Sequence, residues 1–327
     1  MNRKVSVAPM MDCTDKHERY FLRLISKNVL LYTEMIVSEA IDRGDKKKLL
    51  SFNIEEKPVA LQLGGSSPKL LSNAAKIGEE FGYDEINLNL GCPSKKVQKN
   101  KFGACLIKEP NLVADCLNEM QAKTKLPVTV KTRIGYDKID DYEHLFNFIK
   151  LLKSTGVKTF IIHARKAMLG KFTPKQNLNI PPLKYEMVYK LKEDFKDLEI
   201  ILNGGINSSS QIKSHLEKVD GVMIGRSIYH SPYFLAEIEK EIFNNEKNPS
   251  RQEVIEKLVE YLKKEVSKGT RVNQIMRHTL GLFHGQTGSS FWKKYLSENM
   301  CVRDADIQKI NHIIDKVNLN QVTLSAG

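Results

Sequence analysis

The chain has 327 residues, of which 41% are hydrophobic and 28% are charged, and its net charge at pH 7 is +12. These proportions are ordinary for a soluble globular protein, and no apolar run approaches the roughly 20 residues that a membrane helix needs. The five cysteines are odd in number and lack the spacing of a zinc site, which argues against a disulfide framework and a structural metal.

The basic balance, 51 Lys and Arg against 39 Asp and Glu, favours an anionic partner, with RNA the first candidate. The first five residues contain no apolar secretory segment, so we expect a cytoplasmic protein. No feature of the sequence indicates an obligate protein partner.

Eight short apolar runs with the character of strands alternate with helical stretches. The runs cover 5–10, 29–36, 58–63, 85–90, 128–132, 159–163, 199–203 and 221–224, and helices are predicted at 68–81, 112–123 and 142–155. Eight strand–helix units predict an α/β fold, a (β/α)8 TIM barrel over residues 1–243. A doubly wound open sheet is the alternative, but its first turn is usually rich in glycine, and 8–12 contain none.

The chain changes character after residue 243. A polar break at 244–250 precedes Val254, Leu258 and Leu262, which fall at helical spacing. Further helices are predicted at 273–281, 290–299 and 304–317. We therefore predict a small all-helical domain over 244–327.

Cys92 ends the fourth predicted strand. Asn87 and Asn89 alternate with apolar residues, and Gly91 and Pro93 break the strand on either side of the cysteine. A thiol on such a turn points out of the end of a sheet, and an ordinary thiol is mostly protonated at neutral pH, so it can donate a proton. A lone cysteine is also often a buried structural residue.

Polar residues also lie at the carboxyl ends of nearly all the remaining predicted strands. In a barrel these residues would face one pocket. The pattern suggests a flavin. Backbone amides of the paired glycines would hold its phosphate, Lys131 would lie near the N1–O2 edge of its ring, and Gln62 would bind the pyrimidine edge. The candidate cofactor residues are Pro9, Met10, Met11, Gln62, Lys131, His163, Asn203, Gly204, Gly205, Gly225 and Arg226.

These motifs, taken together and in order, resemble the tRNA-dihydrouridine synthases. The resemblance rests on 8–10, 62–63, 87–93, 130–133, 163–165, 203–206 and 224–226, and the loop at 163–185 is similar to that of the A subtype. It implies FMN in a barrel with NADPH as reductant. It also implies hydride transfer to carbon 6 of a tRNA uridine at position 20 or 20a, and protonation of carbon 5 by Cys92.

The resemblance further implies that the helical domain helps to bind tRNA. The candidate tRNA-facing residues are Asn89, Lys95, Lys96, Lys101, Arg165, Lys166, Lys175, Gln176, Asn179, Arg277, His278, Lys293 and Lys294. Ser290 and Lys293 depart from a family motif that carries arginine at both places. Two other interpretations stay open: an FMN barrel that reduces a free pyrimidine, and an RNA-binding protein without catalysis.

Overall fold

The computed structural model describes residues 1–170 and 172–300, so the helix predicted at 304–317 lies outside the described residues. Contacts divide the chain into two units. The first joins Met1–Asp12 to Val29–Gly225, and the second joins Cys13–Asn28 to the chain from Arg226 onward. The predicted domain boundary after residue 243 stays a prediction.

The first unit is a parallel β-barrel. Its strands are β1 (Val5–Val7), β2 (Leu31–Tyr32), β3 (Ile36–Val37), β4 (Val59–Gly64), β5 (Glu85–Leu90), β6 (Val128–Arg133), β7 (Thr159–His163), β8 (Glu199–Asn203) and β9 (Gly221–Ile224). Their order is β1-β9-β8-β7-β6-β5-β4-β2, with β3 also paired to β4. A parallel bridge between Ser6 and Leu30 joins the two ends of this order. The predicted TIM barrel is confirmed, and the predicted second strand is divided into β2 and β3.

The helices follow the strands in chain order. They are α1 (Lys16–Ile25), α2 (Ser38–Arg43), α3 (Lys46–Leu50), α4 (Pro68–Glu80), α5 (Lys95–Lys99), α6 (Pro110–Lys123), α7 (Tyr142–Ser154), α8 (Pro174–Asn179), α9 (Tyr185–Asp194), α10 (Ser209–Leu216), α11 (Arg226–His230), α12 (Phe234–Phe243), α13 (Arg251–Val266), α14 (Val272–Met276) and α15 (Ser289–Asn299). Short 3₁₀ turns cover Ile54–Glu56, Gly103–Lys108 and Arg277–Thr279. Among these described segments, none is a helix of the length and apolarity that crossing a membrane requires.

The barrel interior is apolar on one side and polar on the other. Side chains alternate between the interior and the helices along each strand. Residues in or directly beside β1, β2, β7, β8 and β9 join one position of β4 in an apolar cluster of Ala8, Leu30, Tyr32, Ala60, Ile161, Ile201 and Met223. On β4, β5 and β6 the equivalent positions hold Gln62, Asn87 and Thr129, which are at most 1% exposed. The buried polar side lies next to the strand ends that carry the candidate site.

The helical unit is fixed by buried charge. Asp15 caps the start of α1 by accepting hydrogen bonds from the backbone of His17 and Glu18. The same carboxylate pairs with Arg277 at 2.7 Å and with His278 at 3.1 Å. The ring of His278 also lies 3.2 Å from Glu18. One carboxylate therefore joins the first helix of this unit to a turn more than 260 residues later.

Closure of the barrel at β1 and β9 depends on a residue without a side chain. A Cβ at Gly221 would lie 2.1 Å from the carbonyl oxygen of Arg3, which is backbone and cannot turn aside. We expect Gly221→Ala to lower the free energy of unfolding by about 3 kcal/mol, because β1 must move away from β9. Urea denaturation followed by circular dichroism measures the loss.

Gly82→Ala is the matched control. Its Cβ would meet no atom within 4 Å, but φ there is +87°, so the substitution tests backbone strain without a clash. We expect a loss of about 1 kcal/mol. Equal losses in the two variants would show that close packing at Gly221 does not decide closure.

Candidate active site

The parallel register places predicted site residues, together with Asn87 and Arg133, side by side toward the carboxyl ends of the strands. The paired positions are Gln62 with Asn87, Asn89 with Lys131, Arg133 with His163, and His163 with Asn203. Each pair comes from neighbouring strands, so its side chains emerge at the same level of the barrel. The structure thus brings together residues that are up to 141 positions apart in sequence, Gln62 and Asn203.

Cys92 lies on a turn that is held from both sides. Its backbone N–H donates to Oδ1 of Asn89 at 3.0 Å, and its carbonyl accepts from the N–H of Ala104 at 3.0 Å. A Cβ at Gly103 would lie 2.7 Å from that carbonyl, and φ of Gly103 is +73°. The turn is therefore fixed by its backbone. These backbone interactions position the half-buried thiol, which needs no side-chain hydrogen bond for this.

Gln62 and Asn89 are joined directly. Nδ2 of Asn89 donates to Oε1 of Gln62 at 2.8 Å, and Nε2 of Gln62 donates to Asn87 at 2.8 Å. All three side chains are at most 8% exposed. The amide that we predicted for the flavin ring and the turn that carries Cys92 consequently share one support, Asn89.

Lys131 reaches across the barrel end. Its Nζ donates to Oδ1 of Asn203 at 2.9 Å, and Nδ2 of Asn203 donates to the carbonyl of Met223 at 2.7 Å. Burial, with a contribution from the positive charge of Arg133, lowers the pKa of Lys131 to about 7, and Cys92 opposes the shift. The ammonium is thus available to a bound anion at neutral pH, and an anion would favour its charged form.

His163 is neutral in this environment. Burial holds its pKa well below the usual range, and the positive charges of Arg133, Lys131 and Arg165 add to the shift. Its Nδ1 accepts from the backbone N–H of Arg165 at 3.2 Å, which assigns the proton to Nε2. The ring can therefore donate one hydrogen bond to a ligand from Nε2.

The backbone after β8 requires glycine at two successive positions. Gly204 and Gly205 have φ of +122° and +77°, and a Cβ on either would lie within 3 Å of Leu183. Tyr185 donates to the carbonyl of Gly204 at 2.7 Å, which joins this peptide to the first residue of α9. Peptide N–H groups of successive glycines at positive φ suit a phosphate, and a lysine with an amide suits a flavin ring. The residues present therefore fit FMN.

The other predicted cofactor residues follow β1 and β9. Pro9 and Met10 are half-buried and Met11 is 55% exposed. Met10 lies near Gly225, since a Cβ on Gly225 would be 3.2 Å from the sulfur of Met10. Arg226 is the first residue of α11 and belongs to the helical unit.

Arg133 is a site residue to which the sequence assigned no role. Its guanidinium donates to the carbonyl of Gly91 at 2.8 Å and to the carbonyls of Lys166 and Asn177 at 3.2 and 3.4 Å. It joins the cysteine turn to the segment at 165–177. Its place two residues after Lys131, on the same side of β6, was the signal that could have identified it.

The candidate tRNA residues divide by exposure. Lys95, Lys96, Lys101, Lys175, Gln176, Asn179, Lys293 and Lys294 are exposed, Arg165, Lys166 and Arg277 are half-buried, and Asn89 and His278 are buried. Lys166 pairs with Asp140 at 3.3 Å, Arg165 donates to the carbonyl of Pro181, and Gln176 closes a capping box with Thr173. Asn89 supports the cysteine turn, and His278 lies between two carboxylates of the helical unit.

The lowered pKa of Lys131 predicts a pH effect on the protein without cofactor. Its pKa is about 7 in the folded protein and near 10.5 in the unfolded chain, so the unfolded chain binds more protons between these values. Relative to Lys131→Met, the wild type should gain stability as the pH rises from 7 to 10. Urea unfolding of both proteins at these two pH values measures it, and a difference that is independent of pH would contradict the assignment.

Comparison with known proteins identifies the family. The model of the dihydrouridine synthase family matches residues 6–318. A tRNA-dihydrouridine(20/20a) synthase of Synechocystis sp. is 51% identical over 302 residues, 92% of this chain and 90% of the relative. The enzyme of the same name from Escherichia coli K12 is 50% identical over 316 residues, 96% of this chain and 91% of the relative.

A solved complex of 2-naphthoyl-CoA reductase with 2-naphthoyl-CoA matches 77% of this chain and 51% of its own, with a TM-score of 0.54 and 12% identity. That likeness concerns the fold alone. The family match and the two relatives agree with the resemblance seen in the motifs. The chain belongs to the dihydrouridine synthase family, the flavin-dependent oxidoreductases that reduce uridine to dihydrouridine in tRNA.

Proposed function

We propose that this protein reduces uridines 20 and 20a in the D-loop of cytoplasmic tRNA, with NADPH as the source of electrons and without an obligate protein partner. Both named relatives are tRNA-dihydrouridine(20/20a) synthases, and each is about half identical to this chain over nearly its whole length. Their names favour tRNA over the free pyrimidine that we considered as an alternative. The observation that carries the proposal is the placement of Cys92 beside Gln62 and Lys131 at one end of the barrel.

FMN, when bound at this barrel end, would supply the hydride for carbon 6 of the uracil ring. The backbone of Gly204, Gly205 and Gly225 would hold its phosphate, and the Arg226 side chain would be the counter-charge. Lys131 would lie against the N1–O2 edge of the ring, and Gln62 would bind its pyrimidine edge. A cation whose pKa is near 7 becomes fully charged next to an anion, so it can stabilise the reduced ring.

Cys92 delivers a proton to carbon 5 of the same uracil. The two additions saturate the C5–C6 double bond and give 5,6-dihydrouridine. A general acid must be held within reach of the atom that it protonates, and the cysteine turn is fixed by Asn89 and Ala104. His163 is neutral and can donate from Nε2 to a carbonyl of the uracil or to the flavin.

The uridine must leave its stack to reach the barrel, which costs a few kcal/mol. Phosphate contacts from the barrel rim and from residues 244–327 offset this cost. Lys95, Lys96, Lys101 and Lys175 are the exposed candidates on the barrel unit, and Lys293 and Lys294 are those on α15. We leave His278 out of this set because it is 1% exposed.

Cys92→Ala tests the proton donor. We expect FMN to remain bound and NADPH to reduce it normally, while uridine reduction falls roughly 10²–10⁴-fold because a positioned acid is removed. Undermodified tRNA is the substrate, and mapping of the reduced positions tests the assignment to 20 and 20a. Wild-type turnover by Cys92→Ala would leave the cysteine with a structural role.

Cys105→Ser is the matched control for this variant. Cys105 is also half-buried, and its Sγ donates to the carbonyl of Phe102 at 3.0 Å, a bond that a serine hydroxyl can replace. We expect near-normal uridine reduction. A loss equal to that of Cys92→Ala would mean that the thiols act through the local fold and not as a proton donor.

Charge reversal on α15 tests the second tRNA surface. Lys293→Glu with Lys294→Glu should weaken tRNA binding and lower the slope of log affinity against log salt by about 1 for each phosphate that is no longer neutralised. Fluorescence anisotropy with labelled tRNA at several salt concentrations measures both quantities. FMN binding to the barrel should not change.

Lys263→Glu with Lys264→Glu supplies the same change in net charge. Both lysines are exposed on α13 of the same unit and are outside the candidate set. If this control weakens binding as much as the α15 variant, net charge and not a local contact governs the affinity.

A further inference from the structure

An unbroken chain of hydrogen bonds runs through the polar side of the barrel interior to the cysteine turn. The backbone of Cys92 donates to Asn89 at 3.0 Å, Asn89 donates to Gln62 at 2.8 Å, and Gln62 donates to Asn87 at 2.8 Å. Asn87 then donates to Thr129 at 2.8 Å, and the hydroxyl of Thr129 donates to Glu85 at 2.6 Å. All five side chains are at most 8% exposed.

Every bond in this chain points the same way. Each member donates toward Glu85 and accepts from the side of Cys92. The upper end consists of the backbone N–H groups of Gly91 and Cys92, which can only donate, at 3.1 and 3.0 Å from Asn89. The lower end is a carboxylate, which can only accept. The two ends together leave a single orientation for the three amides between them.

Glu85 is held at the opposite end of β5 from the reactive turn. Glu85 and Leu90 are the first and last residues of this strand, and they lie roughly 16 Å apart at the usual rise. Arg3 pairs with Glu85 at 2.7 Å, and Tyr32 donates to it at 2.7 Å. The carboxylate is 0% exposed, so its bonding partners are these groups and Thr129.

We propose that Glu85 and Thr129 are positioning residues for the flavin-binding amide of Gln62 and for the turn that carries Cys92. Asn89 cannot turn its amide without setting donor against donor at the cysteine turn. Gln62 cannot turn without losing both of its partners. The carboxylate of Glu85 fixes the other end of the series, so either rotation leaves an amide unpaired. This is costly in a dry interior, because no water is present to replace the lost partner.

The inference rests on the proposed roles of Gln62 and Cys92, but it makes a claim of its own. A hydroxyl at the far end of the barrel should matter to cofactor binding although it touches neither cofactor nor substrate. Cofactor binding should weaken when a bond within this series of hydrogen bonds is removed. It should not weaken whenever any buried hydrogen bond is lost.

Thr129→Val removes the link and keeps the shape of the side chain. We expect the dissociation constant for FMN to rise about tenfold, as one hydrogen bond in a preorganised chain is removed. In the protein without cofactor, the amide hydrogens of Gly91 and Cys92 should exchange faster with deuterium, while exchange in β7 and β8 stays at the wild-type rate. Thr129→Ser keeps the hydroxyl and should restore both values.

Tyr32→Phe is the matched control. It also removes one buried hydroxyl that donates to Glu85, but Tyr32 lies beside the chain and not within it. We expect wild-type FMN affinity and wild-type exchange at the cysteine turn. If Thr129→Val and Tyr32→Phe behave alike, or if Thr129→Val changes neither quantity, the proposal is wrong.

Should Thr129→Val fail to fold, Glu85→Gln replaces it. The amide keeps the size of the side chain but can donate to Thr129. The series of hydrogen bonds then no longer ends in a group that can only accept, so its direction is no longer fixed. We expect a smaller rise in the FMN dissociation constant with the same local exchange, and unchanged values would overturn the proposal. These readouts do not require turnover, so the proposal can fail while Cys92→Ala still lowers uridine reduction as expected, and the proposed function then stands.

Discussion

The parallel register of the barrel is the constraint on which the site depends. Adjacent strands pair Asn89 with Lys131, and His163 with Asn203. A shift of one residue in either pairing would turn these side chains toward the helices, because side chains alternate along a strand. Closure through Ser6 and Leu30 fixes the register all round, since a closed barrel leaves no free edge at which a strand could slip.

The interior of this barrel is divided between filling and function. Ile161, Ile201 and Met223 fill one side as apolar residues usually do. On the other side Glu85, Asn87 and Thr129 bury polar groups, which is costly unless every one is bonded. The hydrogen bonds from Asn87 to Thr129 and from Thr129 to Glu85 satisfy these groups, and each of them donates toward Glu85. That arrangement stabilises the fold less than an apolar core would, but it fixes the orientation of the amides at the reactive end.

Local signals predicted most of the fold. The strands Glu85–Leu90, Thr159–His163 and Glu199–Asn203 have the predicted bounds, because alternation and flanking turn residues mark a strand without reference to its partners. The pairing of Asp15 with Arg277 could not be predicted, since it joins residues 262 apart. His278 shows the consequence: a histidine beside an arginine suggests a surface for RNA, yet tertiary contacts bury it against carboxylates.

The reactive end of the barrel is built for an anion before any ligand arrives. Within residues 1–170 and 172–300, Arg133 and Lys131 form no ion pair, and the bonds of Arg133 go to backbone carbonyls. Burial with neighbouring positive charge therefore lowers the pKa of Arg133 to about 10 and that of Lys131 to about 7. This electrostatic cost lowers the stability of the folded protein. A bound phosphate or a reduced flavin relieves it, so the same burial that destabilises the ligand-free barrel strengthens its interaction with an anion.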